Sequence, residues 1–571
     1  MKIRISNNGF QWVLLAMTGL TAGSVVAVPI DVGPDWTVNL DTTVQYNLGF
    51  RAEGMNDKIG NNPSYSENNY KFDKAGDIVT NRLSLLPELD AEYAADFGSA
   101  GFRVSGSIFR DFAYDDDVEN HPGEAAPGVS YSNLGSYKGN KYSSYTKRYY
   151  VRGGQLLDAF IFANFRAFEK PTSVRVGRFT SYWGNAMFSN YAGIAYSQNA
   201  VDNIKGASAP GTEAKELAIP RGQAMISTQF ADDWTLEAQH FFEFEGNRLP
   251  EGGTYLGIVG GLFNGPDFLG GPGGLPQGKE HEPSDINSNY GVRLSYQPYW
   301  LRGTLSAIYR RFDETQPWAP LLATDVNGVP TSYRLAYAQK VDMFGLSLEK
   351  QLGDFSTGFE VSYRKNTALG SAGALVNDRG REGARGDTLN IVANAITGLT
   401  GTDFYDTGTA MAELGFTKRL KTTENKELYN STSNRAVCPS GSKWDGCATD
   451  ESLVFSALVE PQWLNVFPGV DLSMPAFVQY GVYGNTPSLG AGVNQGALIY
   501  TLGVRAIIDR NYNITLQYNG YNAHHRSQLT NASNGAVPVG TDGYPSYYAS
   551  GNGTYFYNDK DWISLTAKFS F

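Results

Sequence analysis

The sequence predicts an all-β fold: a transmembrane, antiparallel, up-and-down β-barrel of about eighteen strands, with about sixteen as the fallback. Three observations predict it. The chain ends on WISLTAKFSF, where Ile563, Leu565, Ala567, Phe569 and Phe571 alternate with Ser564, Thr566, Lys568 and Ser570, a period of two that closes on an aromatic residue. The same period recurs along the chain. Beyond Ala27 no apolar run reaches the roughly eighteen residues that a membrane-crossing helix needs, so a crossing must be made by strands.

In chain order, residues 1–27 read as a cleaved export signal. They have a basic start at Lys2 and Arg4, an apolar run from Trp12 to Ala27, and small residues Val25 and Ala27 at the cleavage spacing. Thr18, Gly19, Thr21, Gly23 and Ser24 interrupt the apolar core and argue against a retained helix. The mature chain, residues 28–571, is expected to be one barrel with long extracellular loops, since no shift in composition marks a domain boundary. The short stretch between Val28 and Trp36 leaves no room for a plug domain ahead of the strands.

The first strand runs from Trp36 to Phe50. Strong alternation returns over Leu83 to Tyr93, Phe102 to Ile108, Ala224 to Phe230, Trp234 to Phe244, Tyr290 to Tyr296, Leu301 to Tyr309, Phe355 to Tyr363, Ala410 to Phe416, Leu498 to Ile508 and Tyr512 to Tyr518. Weaker alternation marks Leu157 to Ala167, Val174 to Phe179, Phe344 to Leu348, Leu389 to Ala395, Leu453 to Val459 and Leu472 to Tyr480. Tight turns such as DFGSA, FEKPT, ADDW, LGDF, FPGV and DRNY alternate with much longer loops, the pattern of periplasmic turns and extracellular loops. Both termini then face the periplasm and the strand number is even, which retains the weak segment around Leu389. Two long connections are candidates for filling the lumen: the one containing FSNYAGIAYSQNAVDNIKGASAPGTEAKELAIP and the Gly-rich EGGTYLGIVGGLFNGPDFLGGPGGLPQGK.

Composition agrees. Aromatics make up 13% of the 571 residues, with 35 Tyr and 65 Gly, a mixture suited to interfacial girdles and turns. A net charge of -11 argues against nucleic acid as a partner. The two cysteines, Cys438 and Cys447, are too far apart for a thioredoxin-type site, and in an exported chain they read as a disulfide pinning a loop.

If apolar positions face lipid, the alternate positions line the lumen. That parity places Asp41, Glu88, Asp90, Glu92, Arg103, Arg175, Glu237, Glu243, Glu245, Arg293, Arg302, Arg310, Glu349, Glu360, Arg364, Glu413 and Arg505 inside. Acids gather on the second and seventh strands and arginines on the eighth and ninth, with Glu237 and Glu243 expected to face Arg293. Opposed charged walls would set a transverse field across a pore and favour small polar or zwitterionic solutes; charges that pair with each other would only stiffen the wall. Glu213, Lys215 and Glu216, with Arg178 and Trp183, are the candidates for a filter. Arg178 falls on the lipid-facing parity, so either Gly177 marks a bulge that turns it inward or the position lies above the membrane. Phe160, Phe162 and Phe241 point inward, as a slide for apolar ligands or as packing beneath an inserted loop.

The segment RVGRFTSYWGNAMF, followed by NAVDNIKGASAPGTEAKELAIP, resembles a family of Gram-negative proteins labelled domain of unknown function 1302. NRLSLLPELDAEY, GTYLG and EPQWLNVFPGVDLSMP are similar as well, and Trp183-Gly184 is the most specific piece. Asn185 departs from the Glu expected in many relatives. The resemblance implies an outer-membrane location and a link to inner-membrane exporters or lipid-like compounds; it implies no particular substrate.

Three functions follow for testing. The first is a porin-like channel or selective translocator for small or amphiphilic compounds. The second is an occluded barrel serving an inner-membrane exporter or lipid-trafficking system. The third, weakest, is a lipid hydrolase, for which His240 is the only strand histidine and no nucleophile motif accompanies it, the other histidines, His121, His281, His524 and His525, sitting in loops. No catalytic, cofactor or metal residue is assigned; the acidic run DFAYDDDVEN, with Asp111, Asp115, Asp116 and Asp117, reads as a solvated tip before it reads as a calcium site. Expected partners are outer-membrane lipid and lipopolysaccharide, the barrel assembly machinery that recognises a terminal aromatic strand, and an inner-membrane exporter.

Overall fold

The computed structural model describes residues 28–571 apart from 31, 213, 262, 272, 279–282, 284–287, 319–320, 325–326, 328, 372–374, 377–382, 490–492 and 532–542. The expected export signal, Glu213 and His281 lie outside the described residues, and the Lys215 side chain is likewise not described.

Alternating sequence folds as alternating strand. The barrel strands are β1 (Trp36–Arg51), β2 (Ile78–Ala95), β3 (Gly98–Asp111), β4 (Arg152–Ala167), β5 (Lys170–Phe179), β6 (Arg221–Ala231), β7 (Trp234–Phe241), β8 (Tyr290–Tyr296), β9 (Gly303–Phe312), β10 (Val341–Leu352), β11 (Phe355–Ala368), β12 (Arg385–Thr400), β13 (Thr407–Glu424), β14 (Glu451–Phe467), β15 (Val470–Ser473 and Ala476–Tyr483), β16 (Leu498–Ile508), β17 (Tyr512–Asn522) and β18 (Trp562–Ser570). Each pairs antiparallel with its chain neighbours, and β1 pairs with β18 to close the sheet. Pro475 has no N–H to give the ladder and stands where β15 breaks. Each of the eighteen expected segments, strong or weak, contains or overlaps one strand. Most strands outrun their alternating stretch, because loop ends above the membrane keep the ladder without needing an apolar face.

The seam is tied at its weakest point. Phe571 exchanges backbone hydrogen bonds with Thr42, at 2.8 and 3.1 Å. Below it Val28–Ile30 pairs with Val38–Leu40 and covers the part of the β1 edge that the short β18 does not reach. In lipid an unpaired edge costs several kcal/mol for each bare polar group, roughly speaking, so this cover matters.

The outer face is apolar: Ile161, Leu346 and Leu516 are 64%, 57% and 53% exposed. Aromatic pairs frame that belt. At the short-turn end Trp36 meets Tyr93 (5.1 Å between ring centroids), Trp234 stacks on Tyr296 (4.3 Å) and Tyr512 on Phe569 (4.6 Å). At the long-loop end the pairs are Tyr309 with Phe344 (5.1 Å) and Tyr500 with Tyr518 (6.1 Å). Two girdles around an apolar band are what a bilayer's two interfaces select. Among the described residues no helix is long and apolar enough to cross a membrane.

Candidate functional site: the lumen and the loop that crosses it

The β5–β6 connection, residues 180–220, one of the two candidates for filling the lumen, turns into the barrel, and charged side chains of the wall hold it there. Glu360 on β11 accepts the N–H groups of Asn185, Ala186 (3.0 Å) and Ile194 (2.7 Å). Glu413 on β13 accepts those of Met187 (2.6 Å), Phe188 (2.9 Å) and Ser189. The loop carbonyls are met by cations: Arg364 donates to Tyr191 and Gly193, both at 2.7 Å, and Arg310 to Ile194 (2.7 Å) and Tyr196 (2.9 Å). Having crossed to this wall, the chain returns through the short helix Asn203–Ser208. Pro210 O then accepts from Asn47 of β1 (2.7 Å) and Thr566 of β18 (2.9 Å). The loop thus bonds both to the β9–β13 wall and to the β1–β18 seam before it rejoins β6.

Backbone groups of an irregular segment inside a lumen need partners, and charged partners make the stronger bonds. This explains the Arg and Glu at inward positions of β9, β11 and β13.

The second filling candidate behaves differently. Its described residues in the β7–β8 connection pack against other extracellular loops and roof the outer mouth. Tyr137 Oη donates to Gly252 O (2.6 Å), Asn68 to Gly257 O (2.8 Å) and Tyr557 Oη to Leu256 O (2.7 Å), joining it to three other extracellular loops. Tyr114, Tyr150, Tyr255 and Phe556 are buried in the aromatic core of this roof.

The remaining charges pair locally. Arg103 is held by Glu88, Asp90 (2.7 Å) and Asp158 (3.2 Å). Arg293 meets Glu237, as the ladder position implies, but Glu243 does not join them: it pairs with Arg178, which also meets Glu245 at 3.0 Å. The reason is that β7 ends at Phe241, so Glu243 and Glu245 leave the ladder. The β5–β6 register runs unbroken through Gly177, so no bulge turns Arg178 inward; it sits next to the last residue of β5, at the rim. Arg302 is a correction: it occupies the tight turn before β9, at φ 49°, and is exposed rather than part of the lumen wall. Glu92 and Glu349 are exposed.

The three filter candidates whose side chains are described, Arg178, Trp183 and Glu216, do not converge. Glu216 pairs with Lys205 (3.7 Å) and Lys568 (3.8 Å), Arg178 is at the rim, and Trp183 is buried at the root of the loop, where its N–H donates to Gln198 (2.8 Å). Phe241 packs under the Arg221 guanidinium (4.4 Å), whereas Phe160 and Phe162 are only half-buried. Cys438 and Cys447 form the expected disulfide, their Cα atoms 5.9 Å apart. In the acidic run each of Asp111, Asp115, Asp116 and Asp117 meets a cation, Arg82, Lys71, Lys147 and Lys141 respectively. Among the described residues no cluster has a metal-holding donor set. His240 is exposed on the outer face, opposite Tyr290 in the ladder.

Residues 9–571 match the family described as protein of unknown function (DUF1302). The chain belongs to that family. No curated protein matches it. Solved structures to which the DUF1302 chain is similar include OccD3 (OpdP) of Pseudomonas aeruginosa, at 10% identity over 95% of this chain and 93% of that one, with a TM-score of 0.37. OccAB2 of Acinetobacter baumannii is 10% identical over 94% and 98%, with a TM-score of 0.40. The outer membrane channel DcaP of Acinetobacter baumannii is 10% identical over 95% and 100%, with a TM-score of 0.35. A closed barrel with an apolar belt between two girdles belongs in the Gram-negative outer membrane, and that is where this DUF1302 chain resides.

The Trp183-Gly184 block now has a physical reason. Gly184 has φ 116°, and a Cβ there would lie 2.5 Å from Glu360 Oε1, so only glycine lets the loop backbone close on that carboxylate. Asn185 gives its backbone N–H to the same group. Sequence reasoning misses Asp158, although it shares the inward parity of Phe160 and Phe162. It also misses the amide cluster of Ser181, Gln198, Gln223 and Gln239 at the loop's root, which no charge announces.

Proposed function

We propose that this protein is a porin-like outer-membrane channel, selective for small or amphiphilic solutes. The observation that carries the reading is the β5–β6 loop, folded into the lumen and fixed there by Glu360, Glu413, Arg310 and Arg364. A loop so anchored narrows a wide barrel to a defined passage while leaving a polar wall beside it. Purified protein in planar bilayers is expected to give discrete current steps; silence at every voltage would overturn the reading.

A second reading, an occluded barrel partnering an inner-membrane exporter or lipid-trafficking system, draws support from the aromatic roof over the mouth. It predicts that an inner-membrane or periplasmic protein co-purifies and that deletion impairs export. Neither reading assigns catalysis to His240.

A further inference from the structure

Arg175 stands apart from the other lumen cations of the wall. Arg103 holds three carboxylates, Arg293 holds Glu237, Arg505 holds Glu460 at 3.0 Å, and Arg310 and Arg364 hold carbonyls of the crossing loop. Arg175, half-buried on β5, has no acceptor within hydrogen-bond reach among the described residues, and its Nε is buried without a partner. Its surroundings explain why. Its two ladder neighbours are Phe162 on β4 and Met225 on β6, neither of which can accept a hydrogen bond from a guanidinium. The flat group lies over two rings, 4.9 Å from the centroid of Phe160 and 5.1 Å from that of Phe179. Gly177, at φ 133°, permits this: a Cβ there would come within 2.6 Å of Phe160 Cα. The result is one lumen cation flanked in the ladder by apolar side chains and without an acceptor among the described residues, with the Asp158 carboxylate and the Arg103 guanidinium acting on it through space.

We propose that Arg175, with Phe160 and Phe162, is a binding site for solutes that carry a single carboxylate on an apolar, ring-sized body. The guanidinium fork fits a carboxylate in two parallel hydrogen bonds, and its stacking on the phenyl rings leaves the fork edge directed away from them. The half-buried rings of Phe160 and Phe162, with centroids 6.4 Å apart, supply the surface for the body. The neighbouring acids limit the charge: Glu88, Asp90 and Asp158 outnumber Arg103, and a second carboxylate on the solute would meet that excess. The site therefore favours monoacids over diacids. This assignment rests on the channel reading and gives it a substrate class.

The test uses refolded full-length protein in detergent, with 3-phenylpropionate as probe and 3-phenylpropan-1-ol and phenylsuccinate as comparators, read by calorimetry. Wild type is expected to bind the monoacid at least tenfold more tightly than either comparator. Arg175→Gln, checked for barrel formation by its gel shift on heating, should erase the difference between acid and alcohol. Phe162→Glu leaves Arg175 in place but supplies an internal carboxylate, and should abolish acid binding as well. Equal affinity for acid and alcohol in the wild type, or unchanged acid binding in either folded variant, would overturn the site. The two readings separate cleanly. Protein that binds the monoacid but passes no current keeps the site and loses the channel; protein that conducts but ignores Arg175→Gln keeps the channel and loses the site.

Discussion

Lys560 lies where three extracellular loops meet. Its ammonium donates to Asn68 O (2.6 Å) and Asn69 Oδ1 (3.0 Å) and sits 5.0 Å from the centre of the Tyr255 ring. Burial pushes its pKa down to about 7; Asp559 works against that shift and Arg51 adds to it. A base whose folded pKa is depressed binds fewer protons closed than open between about pH 7 and its ordinary value of 10.5, so the closed roof gains stability as pH rises through that window. Below about 7 the cost of burying the charge is constant. Limited proteolysis of the β17–β18 loop should accordingly slow as pH is raised from 7 toward 10, and Lys560→Met should remove that dependence. A wild-type cleavage rate that is flat or rising across the window would contradict the assignment.

The same scale shows what parity can and cannot find. Glu360, Arg364 and Glu413 are inward by simple counting, and they are inward in the barrel. What each side chain binds is not a matter of counting: Glu413 accepts from Ser189, 224 positions away, and Arg103 gathers acids from both flanking strands. Arg302 fails because the count was carried into a turn, where the period of two no longer applies.

At the scale of the element, the crossing loop is a strip of irregular backbone whose amides are paid for by two carboxylates. Glu413→Gln keeps the size of the side chain but loses the charge and one acceptor oxygen. It should weaken the attachment of residues 187–189 by about 1 to 3 kcal/mol, because buried amides are left without a partner. The expected result is a larger single-channel conductance, or noisier current, with the barrel's heat-induced gel shift unchanged. Conductance identical to wild type would mean that this anchor does not set the passage. The strands themselves were legible down to the weak segment around Leu389, now β12, because an even number was required. The 180–220 loop was legible only as one of two long connections able to fill a lumen of this width. The different fate of the Gly-rich loop was not: it finds its partners in Asn68, Tyr137 and Tyr557, on loops far away in the chain.

For the whole molecule, lipid is the solvent of the outer face. Leu346 stands on the outer face of β10, two residues inside Phe344 of the upper girdle. Leu346→Arg should cost about 2 to 4 kcal/mol if the site lies near the bilayer midplane, and less toward the interface. Folding into lipid vesicles, titrated with urea, is expected to report that loss, whereas the exposed Phe404 in the β12–β13 turn should accept the same change at little cost. A negligible effect at Leu346 would mean that this face does not meet lipid.

By itself the sequence determined the wall: about eighteen antiparallel strands, the inward or outward parity of most residues within them, and that the sheet must close. These are local consequences of placing lipid on one side of a strand and water on the other, which imposes its choice at every second residue. Only the tertiary structure decided which lumen charges are satisfied, which loop enters and which one roofs the mouth, and that Arg175 is left without an acceptor. Those outcomes depend on side chains and backbone groups brought together from distant parts of the chain, and they exist only once the barrel has closed around the loop.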